Sequence, residues 1–162
     1  MEQDETPPSP RPAVIDFRLE KCQEVLLYRF RDITLLTSAL THASVAQTRA
    51  QSNERMEFLG DAILGMVVCE ELFRKYPEYL EGELTKIKSV LVSRKICAKI
   101  TRQLGLDEFL IVGRGMLKSA MPRSLMSDLF EALVAAIYLD GGFESARTFI
   151  LKHLEHRSEE RR

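Results

Sequence analysis

Apolar residues recur at three- and four-residue intervals along almost all of this 162-residue chain, the spacing that lines one face of an α-helix. Over residues 14–30, Phe17, Cys22, Val25 and Leu26 predict a first amphipathic helix. Asp32 is placed to cap a short second helix that turns Ile33, Leu35, Leu36, Ala39 and Leu40 inward and ends at His42. A polar loop over 46–52 leads into a long helix that reaches about Lys75 and stops before Pro77. The chain restarts at Gly82, with Leu84, Ile87, Val90 and Leu91 on one face. Ser93 is a natural N-cap for a helix with Ile96, Ile100 and Leu104 inward, and Gly105 is its stop. Residues 124–140 form another helical run closed by Gly141 and Gly142, and 144–156 supply a last helix. No stretch reads as a strand, so the expected fold is all-α.

Two segments break the amphipathic rule. Residues 62–69 (AILGMVVC) and much of 124–140 are apolar on nearly every side, the mark of helices sunk in a core. Each carries acids. Glu54, Glu57 and Asp61 stand at i, i+3 and i+7, and Glu57 and Asp61 differ by only ~40° of rotation and ~6 Å of rise. Asp128 and Glu131 share a face at i, i+3. Carboxylates at the mouth of an apolar helix are costly unless protonated, paired or bound to a cation. Arg55 and Arg123 are close in sequence but are expected to point away from the acids. The pattern therefore suggests Glu57, Asp61, Asp128 and Glu131 converging as oxygen donors. With no His or Cys among them, such a set favours Mg²⁺ or Mn²⁺ over zinc. The competing reading is four ordinary helix-surface acids.

The segment ERMEFLGDA at 54–62 resembles the signature of the ribonuclease III family, differing from its usual form by Met56 in place of Leu. SDLFEALVAAIYLDGG (127–142) resembles that family's second acidic motif, and SALTHAS (38–44) its ALTHxS stretch. The resemblance spans roughly 17–154. It implies the family's helical endonuclease-domain fold over 14–156, and it places Glu57, Asp61, Asp128 and Glu131 on the family's catalytic, metal-binding positions. Asp61 and Glu131 are the expected direct ligands, with Glu57 and Asp128 completing or orienting the shell. Glu54 falls on an accessory acidic position. Glu81 matches another, although an acidic helix start favoured by the helix dipole explains Glu81 and Glu83 equally well. The loop GRGMLKSAMPR (113–123) departs from the acidic, Gly-rich form usual in the family.

The implied activity is Mg²⁺-dependent hydrolysis of double-stranded RNA to 5′-phosphate and 3′-hydroxyl ends, in rRNA and mRNA processing; Mn²⁺ can substitute. Cutting both strands calls for two sites related by a two-fold axis, hence a homodimer. The resemblance puts Phe58 in a pocket of the partner subunit, against the alternative of an intrachain core Phe. His42, beside Thr41 and Ser44, reads as a hydrogen-bonded structural residue, not a base. Lys95, Lys99 and Arg102 form a basic stripe, either a solvated face or an RNA-backbone contact. The rival to an enzyme is a structured-RNA-binding or ribosome-associated protein that keeps the fold without cutting.

Composition changes this picture little. A hydrophobic content of 45% is ordinary for one globular domain, and no run is long enough for a membrane span. Phosphate binding usually draws on an excess of Lys and Arg, so a net charge of −1 does not by itself point to RNA. Cys22, Cys69 and Cys97 read as reduced, buried thiols of a cytoplasmic protein. Residues 1–13, with Pro7, Pro8, Pro10 and Pro12, read as a disordered acidic tail. Residues 157–162 read as a charged tail or the start of a linker, at the point where the family's double-stranded-RNA-binding domain would follow. The chain is then either a truncated or a naturally minimal member.

Overall fold

The computed structural model describes residues 16–116 and 121–159. The tail expected over 1–13, residues 117–120 of the basic loop and the final residues 160–162 lie outside the described residues. Helix α6 (Arg123–Gly141) is the centre of the molecule. From Leu125 to Ile137 every residue but Asp128 is buried, which is what a helix apolar on all sides requires. Around it stand α1 (Phe17–Leu26), α2 (Ile33–Leu40), α3 (Glu54–Lys75), α4 (Glu81–Leu91), α5 (Arg94–Gln103) and α7 (Phe143–Glu159). Two 3₁₀ turns, Arg49–Gln51 and Leu106–Phe109, complete the order, and the described residues contain no strand, only an isolated bridge between Thr41 and Ile111. No helix among them is long and apolar enough to cross a membrane.

The helix ends follow the caps read from sequence. Asp32 accepts from the Thr34 N–H at 3.0 Å, and the Ser93 hydroxyl accepts from the Ile96 N–H at 3.3 Å. Gly105 (φ 65°) and Gly142 (φ 85°) take the positive-φ positions that end α5 and α6. Helix α7 runs past the expected 156 to Glu159, into the charged end of the chain. At the end of α1 the left-handed residue is Leu27 (φ 53°), which the sequence did not signal.

Helices α3 and α6 lie against each other so closely that a Cβ on Gly60 would stand 1.7 Å from the Glu131 carbonyl oxygen. Glycine is what lets the two backbones touch at this level. Helix α5 packs on the other flank in the opposite direction: the Thr101 hydroxyl near its C-terminus donates to the Met126 carbonyl at 2.8 Å, and Arg102 donates to the Met121 carbonyl at 3.2 Å. Helix α7 buries Ala146, Phe149, Ile150 and Leu154, stacks Phe149 on Phe130, and ties Arg147 to Glu71 of α3 at 3.0 Å.

Several inward assignments do not hold. Phe17 is 81% exposed, and Ile33 and Val90 are also exposed. Cys69 is exposed, whereas Cys22 and Cys97 are buried as expected. For Cys69 the reason lies in α3: one of its sides meets α6, and its apolar outer side is uncovered among the described residues. Phe58, Ala62, Met66, Cys69 and Phe73 are all exposed, and their spacing places them within about 80° of one another around the helix.

Candidate functional site

The start of α3 is pinned from below. Asn53 is buried; its side-chain amide donates to the Ala39 carbonyl at 3.1 Å, and its backbone N–H donates to the Thr41 carbonyl at 2.9 Å. From this anchor α3 runs alongside α6 with Glu57 beside Asp128 and Gly60 beside Glu131. The register brings carboxylate oxygens of Glu57, Asp128 and Glu131 within 4.8 Å of one another, the cluster of possible metal ligands among the described residues.

The electrostatics are those of crowded, partly buried carboxylates. Burial, then the charges of Asp61, Asp128 and Glu57, push the Glu131 carboxyl up to about 8. Glu57 is raised by burial and then by Asp128, and Asp128 is raised by burial against the pull of Arg94. A side-chain hydrogen bond joins these two. It raises Glu57 and lowers Asp128. A divalent cation bound here would favour the ionised carboxylates, whose hard oxygens suit it. The donor set fits such an ion.

The other acids are placed differently. Asp61 is exposed and outside the 4.8 Å group, yet its charge reaches Glu131 and Cys97. Glu54 is held by Arg49 at 2.9 Å, and this hydrogen bond keeps its carboxyl below the usual range. Glu81 accepts from the Thr85 hydroxyl at 2.7 Å at the start of α4, while Glu83 accepts from the Leu80 N–H at 3.0 Å. Neither belongs to the cluster. Asp140, in the same motif as Asp128 and Glu131, serves the fold: it accepts from Tyr28 (2.6 Å) and from the N–H groups of Arg31 and Asp32. Phe58 is 83% exposed, which removes the intrachain-core reading.

Two neighbours of the cluster were missed or underrated. Arg94, the first residue of α5, acts on the charges of Glu57, Asp128 and Glu131. The more conspicuous basic stripe is Lys95, Lys99 and Arg102, the last of which bonds the Met121 carbonyl. His42 is hydrogen-bonded as expected, and its role is more defined than its spacing implied. Its Nδ1 accepts from the Ser44 N–H at 3.1 Å, and the Ser44 hydroxyl, itself accepting from the Gly113 N–H, lies 2.8 Å from the same nitrogen. The neutral ring therefore carries its proton on Nε2. The protonated ring's charge would lower Asp128 and Glu54. Behind Glu131, burial followed by that residue's charge pushes the Cys97 thiol up to about 12, so it stays protonated and unreactive.

The family model described as Ribonuclease-III-like matches residues 32–157. Ribonuclease 3 of Rhodopirellula baltica is 60% identical over 131 residues, which make up 80% of this chain and 49% of that protein. Ribonuclease 3 of Symbiobacterium thermophilum is 48% identical over 136 residues, 82% of this chain and 58% of that protein. The chain thus spans about half the length of these relatives. Among solved structures, the nuclease domain of ribonuclease III from Campylobacter jejuni has a TM-score of 0.80 at 41% identity, covering 85% of this chain and 96% of that one. That domain is described for structural flexibility in a region involved in dimer formation.

Proposed function

This chain belongs to the ribonuclease-III-like family, and from that premise we propose that it is a divalent-metal-dependent endonuclease that hydrolyses double-stranded RNA. The observation that carries the reading is the convergence of Glu57, Asp128 and Glu131 within 4.8 Å, where burial raises all three carboxyls and neighbouring acids raise Glu57 and Glu131 further. Glu57, Asp128 and Glu131 would hold the ion through carboxylate oxygens, and exposed Asp61 lies beside them with its charge reaching Glu131. All-oxygen ligation favours Mg²⁺, with Mn²⁺ as a substitute. A divalent cation there supplies the charge that makes water acidic enough to act as hydroxide near neutral pH and that offsets charge building on the phosphate. The chain's own part is to bring four carboxylates together on two helices locked at Gly60, and to keep one side of the site dry against the core. Cleavage leaves 5′-phosphate and 3′-hydroxyl ends. Recognition rests on A-form shape and 2′-hydroxyls, because the deep RNA major groove is closed to side chains.

The functional unit is a symmetric dimer. Its support is the exposed apolar stripe of α3, about 22 Å long from Phe58 to Phe73, a feature that soluble monomers rarely leave open. A two-fold axis along this stripe gives one site per strand of the duplex. The test is direct: long duplex RNA should be shortened by the purified chain in Mg²⁺, left intact in EDTA, and preferred over duplex DNA of the same sequence. Cleavage that persists in EDTA, or that treats DNA and RNA alike, refutes the reading.

A further inference from the structure

We propose that Arg94 is a phosphate-positioning residue of this site, a guanidinium kept free to grip the RNA backbone beside the carboxylate cluster. The inference rests on the reading of the cluster as a duplex-RNA nuclease site.

The placement follows from helix packing. Thr101 and Arg102 of α5 meet Met126 and Met121 of α6, so the two helices run in opposite directions. Arg94 lies seven residues before Thr101, about 10 Å back along α5. The same displacement along α6 from Met126 passes Ser127, Asp128 and Glu131 and ends near Leu133, about two residues beyond Glu131. Cys97, midway along this path, senses both Ser127 and Glu131. Arg94 thus stands at the rim of the cluster, on the side opposite α3.

Its state is unusual for an arginine whose charge bears on three acids. The guanidinium favours the charged forms of Glu57, Asp128 and Glu131 alike. Even so it is exposed and makes no ion pair within 4.0 Å among the described residues, whereas Arg29, Arg49, Arg74 and Arg147 each do. Ser93 beneath it is occupied in capping Ile96. A counter-ion would fold onto one carboxylate and satisfy its fork there. Arg94 is instead exposed, with its charge felt by the cluster, and so is available to a phosphodiester that approaches it. Four carboxylates repel that phosphodiester, and a free guanidinium at the rim offsets the repulsion while its planar fork matches two phosphate oxygens.

The test compares wild type, R94Q and R94K as full chains, with melting curves to confirm that each is folded. Steady-state cleavage of duplex RNA is measured against Mg²⁺ and against salt. In R94Q the KM for RNA should rise about tenfold with kcat within a few-fold, and the slope of log affinity against log salt should fall by about one. R94K should recover part of the KM, since charge returns without the fork. An unchanged KM and salt slope in R94Q overturn the assignment. So does a lower Mg²⁺ requirement as the sole change, which is the signature of a counter-ion. A wild-type chain that neither binds nor cuts duplex RNA sinks the parent reading, and with it this contact. A wild type that binds and cuts equally well with R94Q sinks only Arg94.

Discussion

Replacing Glu131 with Gln should make the metal-free protein more stable while abolishing its cleavage. Glu131 is 8% exposed, and burial together with Asp61, Asp128 and Glu57 lifts its carboxyl from 4.5 to about 8. Between these values the unfolded chain releases the proton and the folded chain keeps it, so stability falls as pH rises from about 4.5 and stops falling above about 8. At about 1.4 kcal/mol per unit the ceiling on this loss is ~5 kcal/mol. Solvent at the open side of the site, where Asp61 is exposed, screens much of it, leaving on the order of 2 kcal/mol. Gln fills the same space, can donate to the neighbouring carboxylates, and never ionises. In EDTA at pH 8 the variant should therefore melt roughly 4–8 °C above wild type, and at pH 4 the two should coincide. Adding Mg²⁺ should raise the wild-type melting temperature more than that of the variant, since a ligand that binds only the folded form stabilises it by mass action. Cleavage in Mg²⁺ should fall by several orders of magnitude, on the order of the metal's whole contribution. A variant that melts below wild type at pH 8 in EDTA would show that Glu131 is a structural partner and not a strained donor. Near-wild-type cleavage would remove it from the site.

Two further outcomes test the frame around these acids. Gly60→Ala puts a methyl 1.7 Å from the Glu131 carbonyl oxygen, so α3 and α6 must part; the cost should be about 3 kcal/mol or more, read as a large drop in melting temperature with loss of cleavage. A variant as stable as wild type would mean that the two backbones are not in contact. Wild type should sediment as a dimer of about 37 kDa, twice the 18.5 kDa chain. Phe58→Ala should shift it toward monomer without lowering the stability of the monomer fold, because Phe58 has no intrachain burial to lose. Wild type that stays monomeric at micromolar concentration would refute the two-fold arrangement.

What the sequence by itself determined is local. Caps and stops are set by a few neighbouring atoms, so Asp32, Ser93, Gly105 and Gly142 mark their helix ends correctly. The i, i+3 spacing of Asp128 and Glu131 puts both on one face of α6 in any fold that keeps the helix. That two helices bear acids on otherwise apolar surfaces was legible for the same reason.

Tertiary structure decided everything that depends on how one helix is turned toward another. The register of α3 on α6, set where Gly60 meets Glu131, brings Glu57 into the group and leaves Asp61, some 40° further round the helix, on the exposed side. The antiparallel lie of α5 carries Arg94 to the rim, while Lys95, Lys99 and Arg102, more conspicuous in sequence, face elsewhere or bond the backbone. Asp140 shares a motif with the cluster but caps the join of α1 and α2. Nor could periodicity separate the two apolar sides of α3, of which one meets α6 and the other, from Phe58 to Phe73, meets solvent. Hydropathy records that a side chain avoids water; only the packing of helices on one another determines which surface relieves it.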